Sequence, residues 1–247
     1  MTTMIDFYQK VVLITGASSG IGEATARHLA KAGHVVCLGA RRHHRVDRIA
    51  CEINDAGGQA IAIVVDVRQA QGVSNFVESA VQRFGRVDVM INNAGVMPLS
   101  RMDALRVSDW DLMIDTNLRG VLYGIAAVLP VMMRQSDGQI INIASTAAHV
   151  VRPTAAVYCA TKYAVRAVSE GLRQENKHIR VTVISPGLTT SELIESISDE
   201  NIKTAVRSMA ASSSISASAV AAAIGFAIDQ SKDVDVNEIL IRPTAQE

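Results

Sequence analysis

Short apolar runs alternate with helical segments along the whole chain, and this alternation restricts the possible folds more than any other feature. We predict strands at residues 11–15, 35–39, 60–65, 87–91, 139–143, 179–184 and 238–241. Helices are predicted between them, at residues 20–33, 42–56, 69–84, 108–133 and 155–177, with a serine-rich helical region at 191–231. Strands separated by helices imply a parallel sheet covered by helices on both faces. No linker or repeat divides the 247 residues, so we expect one domain over residues 1–247, an α/β doubly wound parallel sheet.

Charge and cysteine content exclude several classes of protein. The 24 basic and 24 acidic residues balance, which argues against a nucleic-acid binder that relies on a broad basic surface. The three cysteines fit neither a zinc site nor a disulfide framework and are typical of reduced thiols in a cytoplasmic protein. Residues 1–10 contain no apolar core of a signal peptide, and we expect the apolar stretches 121–133 and 215–228 to be too short to cross a membrane.

A glycine-rich turn follows the first predicted strand. Residues 15–22 read Thr-Gly-Ala-Ser-Ser-Gly-Ile-Gly and open the first predicted helix. Glycines allow a tight turn and let the backbone approach a pyrophosphate, which binds at the N-terminus of the helix. We therefore expect a dinucleotide at this turn, in contact with Gly16, Ser18, Ser19, Gly20, Ile21 and Gly22.

Tyr158 and Lys162 stand four residues apart on a predicted helix, so both side chains can point into one cleft. A nearby ammonium favours the phenolate, and we expect Lys162 to lower the pKa of Tyr158 towards neutrality, where proton transfer is efficient. Ser145, thirteen residues earlier, can offer its hydroxyl to the same substrate oxygen.

The order of these motifs resembles the short-chain dehydrogenase/reductase family over nearly the whole chain. The residues that carry the resemblance are the 15–22 turn, Asn92-Asn93-Ala94-Gly95, Asn117, Ser145, Tyr158, Lys162 and Pro186-Gly187. The resemblance implies a Rossmann-type domain, a nicotinamide dinucleotide and the interconversion of an alcohol and a carbonyl. It also implies that Asn117 helps to hold a water molecule that connects Lys162 to solvent.

The same resemblance assigns the remaining cofactor contacts. Lys162 would hold the nicotinamide ribose with Tyr158 beside it, and Asp66 and Val67 would contact the adenine. The ribose and nicotinamide would pass over Asn93, Ala94 and Gly95. The nicotinamide carboxamide would meet the loop of Pro186, Gly187, Thr189 and Ser191, in which Thr189 and Ser191 replace the family's usual valine and threonine.

The end of the second predicted strand bears on the choice between NAD and NADP. An acidic residue there usually binds the ribose 2′-hydroxyl, whereas an arginine accommodates a 2′-phosphate. Ala40 stands at the acidic position and Arg41 follows, with Arg42 as a second candidate. Because an arginine fork pairs well with phosphate oxygens, we expect NADP(H).

The sequence thus predicts an NADP(H)-dependent oxidoreductase that acts on a small ketone, aldehyde, keto acid or alcohol. The alternative is a non-catalytic NADP(H)-binding sensor or scaffold, a class that usually lacks one of the catalytic residues. We expect residues 191–218 to form a lid over the substrate. Analogy with the family favours a homotetramer or dimer.

Overall fold

A parallel sheet forms the centre of the protein, as the alternating pattern predicts. The structure is a computed structural model that describes residues 9–246, so most of the segment in which we expect no signal peptide lies outside the described residues. The strands are β1 (Val11–Thr15), β2 (Val35–Ala40), β3 (Gln59–Val64), β4 (Val89–Asn92), β5 (Gly138–Ile143), β6 (Ile179–Pro186) and β7 (Glu238–Ile241). They lie in the order β3-β2-β1-β4-β5-β6-β7, and each neighbouring pair is parallel.

Helices cover both faces of this sheet. They are α1 (Gly20–Lys31), α2 (His43–Asp55), α3 (Ala70–Phe84), α4 (Val107–Met113), α5 (Gly120–Gln135), α6 (Ala156–Glu175), α7 (Glu200–Ser213) and α8 (Ala217–Ile228). Alternate residues of β1 enter different core clusters: Leu13 packs in one with Phe76 of α3, and Ile14 packs in the other with Leu29 of α1. This period of two explains why the apolar runs are uninterrupted, since both faces of each central strand are buried.

The predicted long helix at 108–133 runs from Val107 to Gln135 in three contiguous parts. A π-helical segment, Ile114–Arg119, joins α4 to α5, and the Gly120 amide bonds to the Asp115 carbonyl five residues back. Pro130 lies inside α5 and does not end it.

The apolar stretch 121–133 is only part of this helix, which over its full range Val107–Gln135 is long and apolar enough to cross a membrane by length and composition alone. Its inward face is part of the core, through Val121, Ile125, Val128 and Met132.

The helical region predicted at 191–231 is divided in the structure. A 3₁₀ turn (Glu192–Ser196), α7 and α8 follow one another, separated by short extended stretches. Of these elements α8 packs into the core beneath the sheet, whereas α7 has no fully buried residue and packs through Ile202 and Val206 against a small cluster that contains Tyr158. The boundary falls where Thr189 and Ile215 form an isolated bridge.

Candidate active site

A cleft of about 940 Å³ lies at the carboxyl ends of the strands, where open parallel sheets bind ligands. It is lined by most of the residues that the sequence singles out: Gly16, Ser18, Ser19, Gly20, Ile21, Arg41, Arg42, Asp66, Val67, Asn93, Ala94, Gly95, Ser145, Tyr158, Lys162, Pro186, Gly187, Thr189 and Ser191. Two predicted residues, Gly22 and Asn117, are buried behind its surface instead.

The glycine-rich turn is clamped to the end of β4. Gly16 has a φ of +66°, and a Cβ there would lie 2.8 Å from the Cα of Ala94. Asn93 donates from Nδ2 to the carbonyls of Thr15 (2.9 Å) and Gly16 (3.2 Å), and its own amide donates to Thr15 Oγ1 at 3.1 Å. Thr15 therefore joins the two loops. It was not among our predicted residues, although it immediately precedes the first glycine.

The other glycines of the turn are required by close approaches. A Cβ on Gly22 would lie 2.4 Å from the carbonyl oxygen of Gly16, so Gly22 allows α1 to start against the turn. Gly20 has a φ of +56°, and a Cβ there would lie 3.0 Å from the Cβ of Ser191. The loop after β6 thus lies directly against the glycine-rich turn.

Helix α6 places Tyr158 and Lys162 on one face, as their spacing predicts, with Lys162 Nζ 5.8 Å from the centre of the phenol ring. Ser145 follows β5, where its Oγ accepts from the Ala147 amide at 3.1 Å and donates to the Pro186 carbonyl at 3.4 Å. A side-chain hydrogen bond also joins Ser145 to Tyr158. Serine, phenol and ammonium therefore meet at the floor of the cleft.

Burial controls the protonation of this group. Tyr158 and Lys162 are 6% and 5% exposed. Burial raises the pKa of Tyr158 to about 12, and the hydrogen bond with Ser145 opposes this rise. Burial lowers the pKa of Lys162 to about 8, while Nζ donates to the Ile143 carbonyl at 2.8 Å. Our expectation of a lowered phenol pKa is therefore wrong for the chain by itself, because desolvation of the buried phenolate outweighs the hydrogen bond with Ser145.

Asn117 lies in the π-helical segment and is 1% exposed. Its Oδ1 accepts from the Val96 amide at 2.8 Å, and its Nδ2 donates to the Val96 carbonyl at 2.9 Å. A Cβ on Gly95 would lie 3.4 Å from Asn117 Oδ1 and 3.8 Å from Lys162 Nζ. Asn117 thus stands next to the lysine, but its side-chain amide holds the segment after β4.

The arginines after β2 differ in their contacts. Arg42 donates from Nε and Nη2 to Ser18 Oγ (3.2 and 2.9 Å), from Nη2 to Ser19 Oγ (3.0 Å) and from Nη1 to Glu192 Oε2 (2.7 Å). Arg41 is exposed and lines the cleft. Arg42, the second candidate from the sequence, is therefore the arginine that contacts the glycine-rich turn. Glu192 was not predicted as a site residue.

Asp66 lines the cleft, but its carboxylate is already paired. Both of its oxygens accept from Arg68, Oδ1 from Nε at 3.0 Å and Oδ2 from Nη2 at 2.5 Å. Hydrogen bonds from Arg68 hold the pKa of Asp66 below its usual value, and Arg41 contributes to the same shift. An adenine amino group at this position would share the carboxylate with Arg68.

The loop after β6 is supported from the end of the chain. The Leu188 amide donates to Gln246 Oε1 at 2.8 Å, and a Cβ on Gly187 would lie 2.1 Å from the same oxygen. Thr189 Oγ1 donates to the Gly187 carbonyl at 3.0 Å, and Ser191 Oγ accepts from the Leu193 amide at 3.4 Å. No sequence signal marks Gln246, because its partner lies 58 residues away.

The segment predicted to form a lid lines one side of the cleft. Ser196 Oγ accepts from the Met97 amide at 2.7 Å and ties the 3₁₀ turn to the segment after β4. The wall on this side is apolar and is lined by Val96, Met97, Leu99, Ile194, Ile202, Val206 and Met209. Within residues 9–246, no group of three or more His, Cys, Asp or Glu side chains is arranged to hold a metal ion.

The fold and cleft define a dinucleotide-binding α/β oxidoreductase, and comparison with known proteins gives the family. Residues 10–202 match the family model described as short chain dehydrogenase, and the chain belongs to this family. An uncharacterized oxidoreductase of Staphylococcus saprophyticus is 47% identical over 242 residues, which are 96% of this chain and 97% of the relative.

Solved structures agree with this assignment. An alcohol dehydrogenase of the archaeon Thermococcus sibiricus, complexed with 5-hydroxy-NADP, has a TM-score of 0.88 at 31% identity and covers 97% of this chain and 99% of its own. A serine dehydrogenase complexed with NADP⁺ has a TM-score of 0.87 at 30% identity, with 96% of each chain covered. A short-chain dehydrogenase/reductase of Burkholderia phymatum in complex with NAD has a TM-score of 0.88 at 25% identity, covering 96% of this chain and 90% of its own.

Proposed function

We propose that this oxidoreductase uses NADP(H) to interconvert a small carbonyl compound and its alcohol, with Tyr158 as the general acid and base. The observation that carries the proposal is the meeting of Ser145, Tyr158 and Lys162 at the floor of a cleft whose other end is the glycine-rich turn. A dinucleotide bound across the strand ends would join these two regions.

The protein's own groups have the protonation states that a reduction needs. When bound, NADPH supplies a hydride to the carbonyl carbon, and negative charge develops on the oxygen. Ser145 turns its hydroxyl from the Pro186 carbonyl, which it meets at a long 3.4 Å, to this oxygen. Tyr158, whose pKa burial raises to about 12, is protonated at neutral pH and delivers its proton to the oxygen.

Lys162 supports the phenolate that remains. Burial lowers the pKa of Lys162 to about 8, so the ammonium is still charged at neutral pH, and it stabilises the anion from a position 5.8 Å from the centre of the phenol ring. Asn117 holds the chain beside the lysine through Val96. In the direction of alcohol oxidation, Tyr158 accepts the proton in its phenolate form, which a neighbouring ammonium favours.

The arginines after β2 support NADP(H) as the cofactor. Arg41 and Arg42 both line the cleft, and Arg42 stands within hydrogen-bond distance of Ser18 and Ser19 in the glycine-rich turn. Two of the similar structures contain NADP or a derivative of it, and one contains NAD. The guanidinium groups favour the 2′-phosphate over the 2′-hydroxyl.

The apolar wall that packs beside Tyr158 supports a small, largely apolar carbonyl or alcohol substrate. The similar structures include an alcohol dehydrogenase and a serine dehydrogenase, so secondary alcohols and small hydroxy acids are the first compounds to test. A non-catalytic sensor is not favoured, because Asn117, Ser145, Tyr158 and Lys162 are all present and close together.

We also propose a homotetramer or dimer in the cytoplasm. Exposed apolar side chains on the long helices, Leu122 and Met133 on α5 and Tyr163 on α6, support the assembly. Cys37, Cys51 and Cys159 are free thiols, which is typical of a reducing compartment.

Replacing Tyr158 by phenylalanine tests the proposed chemistry. The variant keeps the ring but loses the proton, so oxidation of NADPH with a panel of ketones, aldehydes and keto acids should fall by about a hundredfold or more. NADPH affinity, measured by fluorescence titration, should change little. Tyr163→Phe is the matched control, since Tyr163 lies on the same helix and is 38% exposed. Turnover by Tyr158→Phe equal to that of the control would refute the role of Tyr158.

A further inference from the structure

Glu192 is the acidic residue that stands beside the glycine-rich turn. It begins the 3₁₀ turn of the lid, immediately after Ser191, whose Cβ lies 3.0 Å from where a Cβ on Gly20 would be. Its Oε2 accepts from Arg42 Nη1 at 2.7 Å. Both of its oxygens accept from Arg45 Nη1, at 2.7 and 2.8 Å. One carboxylate therefore links the lid to the start of α2.

The same contact occupies Arg42. Its Nε and Nη2 donate to the hydroxyls of Ser18 and Ser19, and its Nη1 donates to Glu192. A phosphate that binds to this guanidinium must share or displace one of these acceptors. A hydroxyl can reorient and donate to the phosphate, but a carboxylate is an acceptor only and carries the same sign of charge.

The ion pair can open without disturbing the core. The side chains of Arg42, Arg45 and Glu192 are 41%, 35% and 46% exposed, so all three reach solvent. Hydrogen bonds from Arg42 and Arg45 lower the pKa of Glu192 to about 2, so the carboxylate is charged throughout the neutral range. The Glu192 carboxylate therefore neutralises one of the two positive charges that Arg42 and Arg45 place next to the proposed ribose site.

Resting on the NADP(H) site proposed above, we propose that Glu192 is a specificity-determining residue that competes with the ribose 2′-phosphate for Arg42. Binding of a 2′-phosphate breaks the Glu192–Arg42 pair, whereas a nucleotide with a 2′-hydroxyl leaves it intact. Glu192, the second residue of the lid, thus responds to which nucleotide is bound and weakens selection for NADP(H) relative to what unpaired Arg42 and Arg45 would achieve.

Two nucleotides that differ only by the 2′-phosphate test this role without any turnover. The affinities of adenosine 2′,5′-bisphosphate and 5′-AMP are measured by titration calorimetry for the wild type, Glu192→Gln and Glu200→Gln. Glutamine keeps the size of the side chain but removes its charge. Glu200 is the control, because it also belongs to the lid region and pairs with Lys203, but its side chain is 75% exposed at the start of α7.

We expect Glu192→Gln to bind the bisphosphate about fivefold more tightly than the wild type, the scale of an exposed ion pair, and to bind AMP unchanged. Raising the salt concentration should reduce the difference in bisphosphate affinity between the wild type and Glu192→Gln, since the effect is electrostatic. Weaker or unchanged bisphosphate binding by Glu192→Gln, or an equal gain for AMP, would overturn the proposal, and so would the same gain in Glu200→Gln.

The outcomes also separate this proposal from the proposed function. If the wild type binds neither nucleotide, the dinucleotide site itself is wrong. If the wild type binds both equally and Glu192→Gln binds the bisphosphate more tightly, the competition stands and the proposed NADP preference fails. If the wild type prefers the bisphosphate and Glu192→Gln does not change this, the NADP site stands and the role of Glu192 fails.

Discussion

Replacing Lys162 by methionine should stabilise the protein at neutral pH while it removes turnover. Methionine has a similar length and flexibility but carries no charge into the interior. Burial lowers the pKa of Lys162 from 10.5 to about 8. At about 1.4 kcal/mol for each pKa unit, holding the ammonium in the folded chain costs about 3 kcal/mol at pH 7.

The substitution also removes a hydrogen bond. Lys162 Nζ donates to the Ile143 carbonyl at 2.8 Å, and its loss costs about 1 to 2 kcal/mol. We therefore expect Lys162→Met to raise the free energy of unfolding by about 1 to 2 kcal/mol at pH 7. Lys162, a residue of the proposed catalytic group, would then lower the stability of the fold.

The pH dependence gives the sharper test. Between pH 8 and 10.5 the unfolded chain holds the lysine proton and the folded chain does not, so the wild type gains stability as pH rises through this window. Lys162→Met lacks this gain. The free energy of unfolding of Lys162→Met, compared with that of the wild type, should therefore fall by about 3 kcal/mol across the window, so that the difference changes sign.

Urea unfolding at a fixed protein concentration, followed by circular dichroism from pH 7 to pH 10.5, measures this difference. Groups other than Lys162 titrate in both proteins and cancel from the comparison. Lys31→Met is the matched control, because Lys31 is exposed at the end of α1. A difference between Lys162→Met and the wild type that stays constant over this pH range would refute the reasoning.

Two further substitutions test the cofactor end of the cleft. Arg41→Ala should raise the Michaelis constant for NADPH about tenfold to a hundredfold and leave that for NADH nearly unchanged. Arg48→Ala is the control and should change neither constant, because Arg48 lies on an exposed face of α2. Equal effects of Arg41→Ala on both cofactors would contradict the assignment. Gly16→Ala should lower the free energy of unfolding by about 2 to 3 kcal/mol, because it combines a φ of +66° with a contact of 2.8 Å to Ala94. Gly85→Ala has the same backbone strain in open space and should cost only about 1 kcal/mol, so equal losses in urea unfolding would show that the contact with Ala94 does not matter.

Regular elements were the most predictable part of this protein. The predicted strand at 11–15 coincides with β1, and the predicted helix at 69–84 differs from α3 by one residue. Both are defined by local hydrophobic periodicity, which needs no knowledge of distant residues. The π-helical segment Ile114–Arg119 could not be predicted, because its hydrogen bonds shift by one residue within an otherwise helical pattern.

The chemistry of the site divides in the same way. The spacing of Tyr158 and Lys162 was enough to place them on one face of α6. The pKa of Tyr158 was not predictable from spacing, because burial raises it and Tyr158 packs with Leu99, Ile194 and Ile197, on other parts of the chain.

The sequence by itself determined the order of strands and helices along the chain, the glycine-rich turn, and the helical face that carries Tyr158 and Lys162. Each of these features depends on residues that are close together in the sequence. Only the tertiary structure decided that Arg42 rather than Arg41 binds the glycine-rich turn, that Asn117 holds Val96, and that Glu192 pairs with an arginine 150 residues away. These contacts join segments that are adjacent only after the parallel strands have assembled, because the sheet brings the loops at the carboxyl ends of its strands to a single edge.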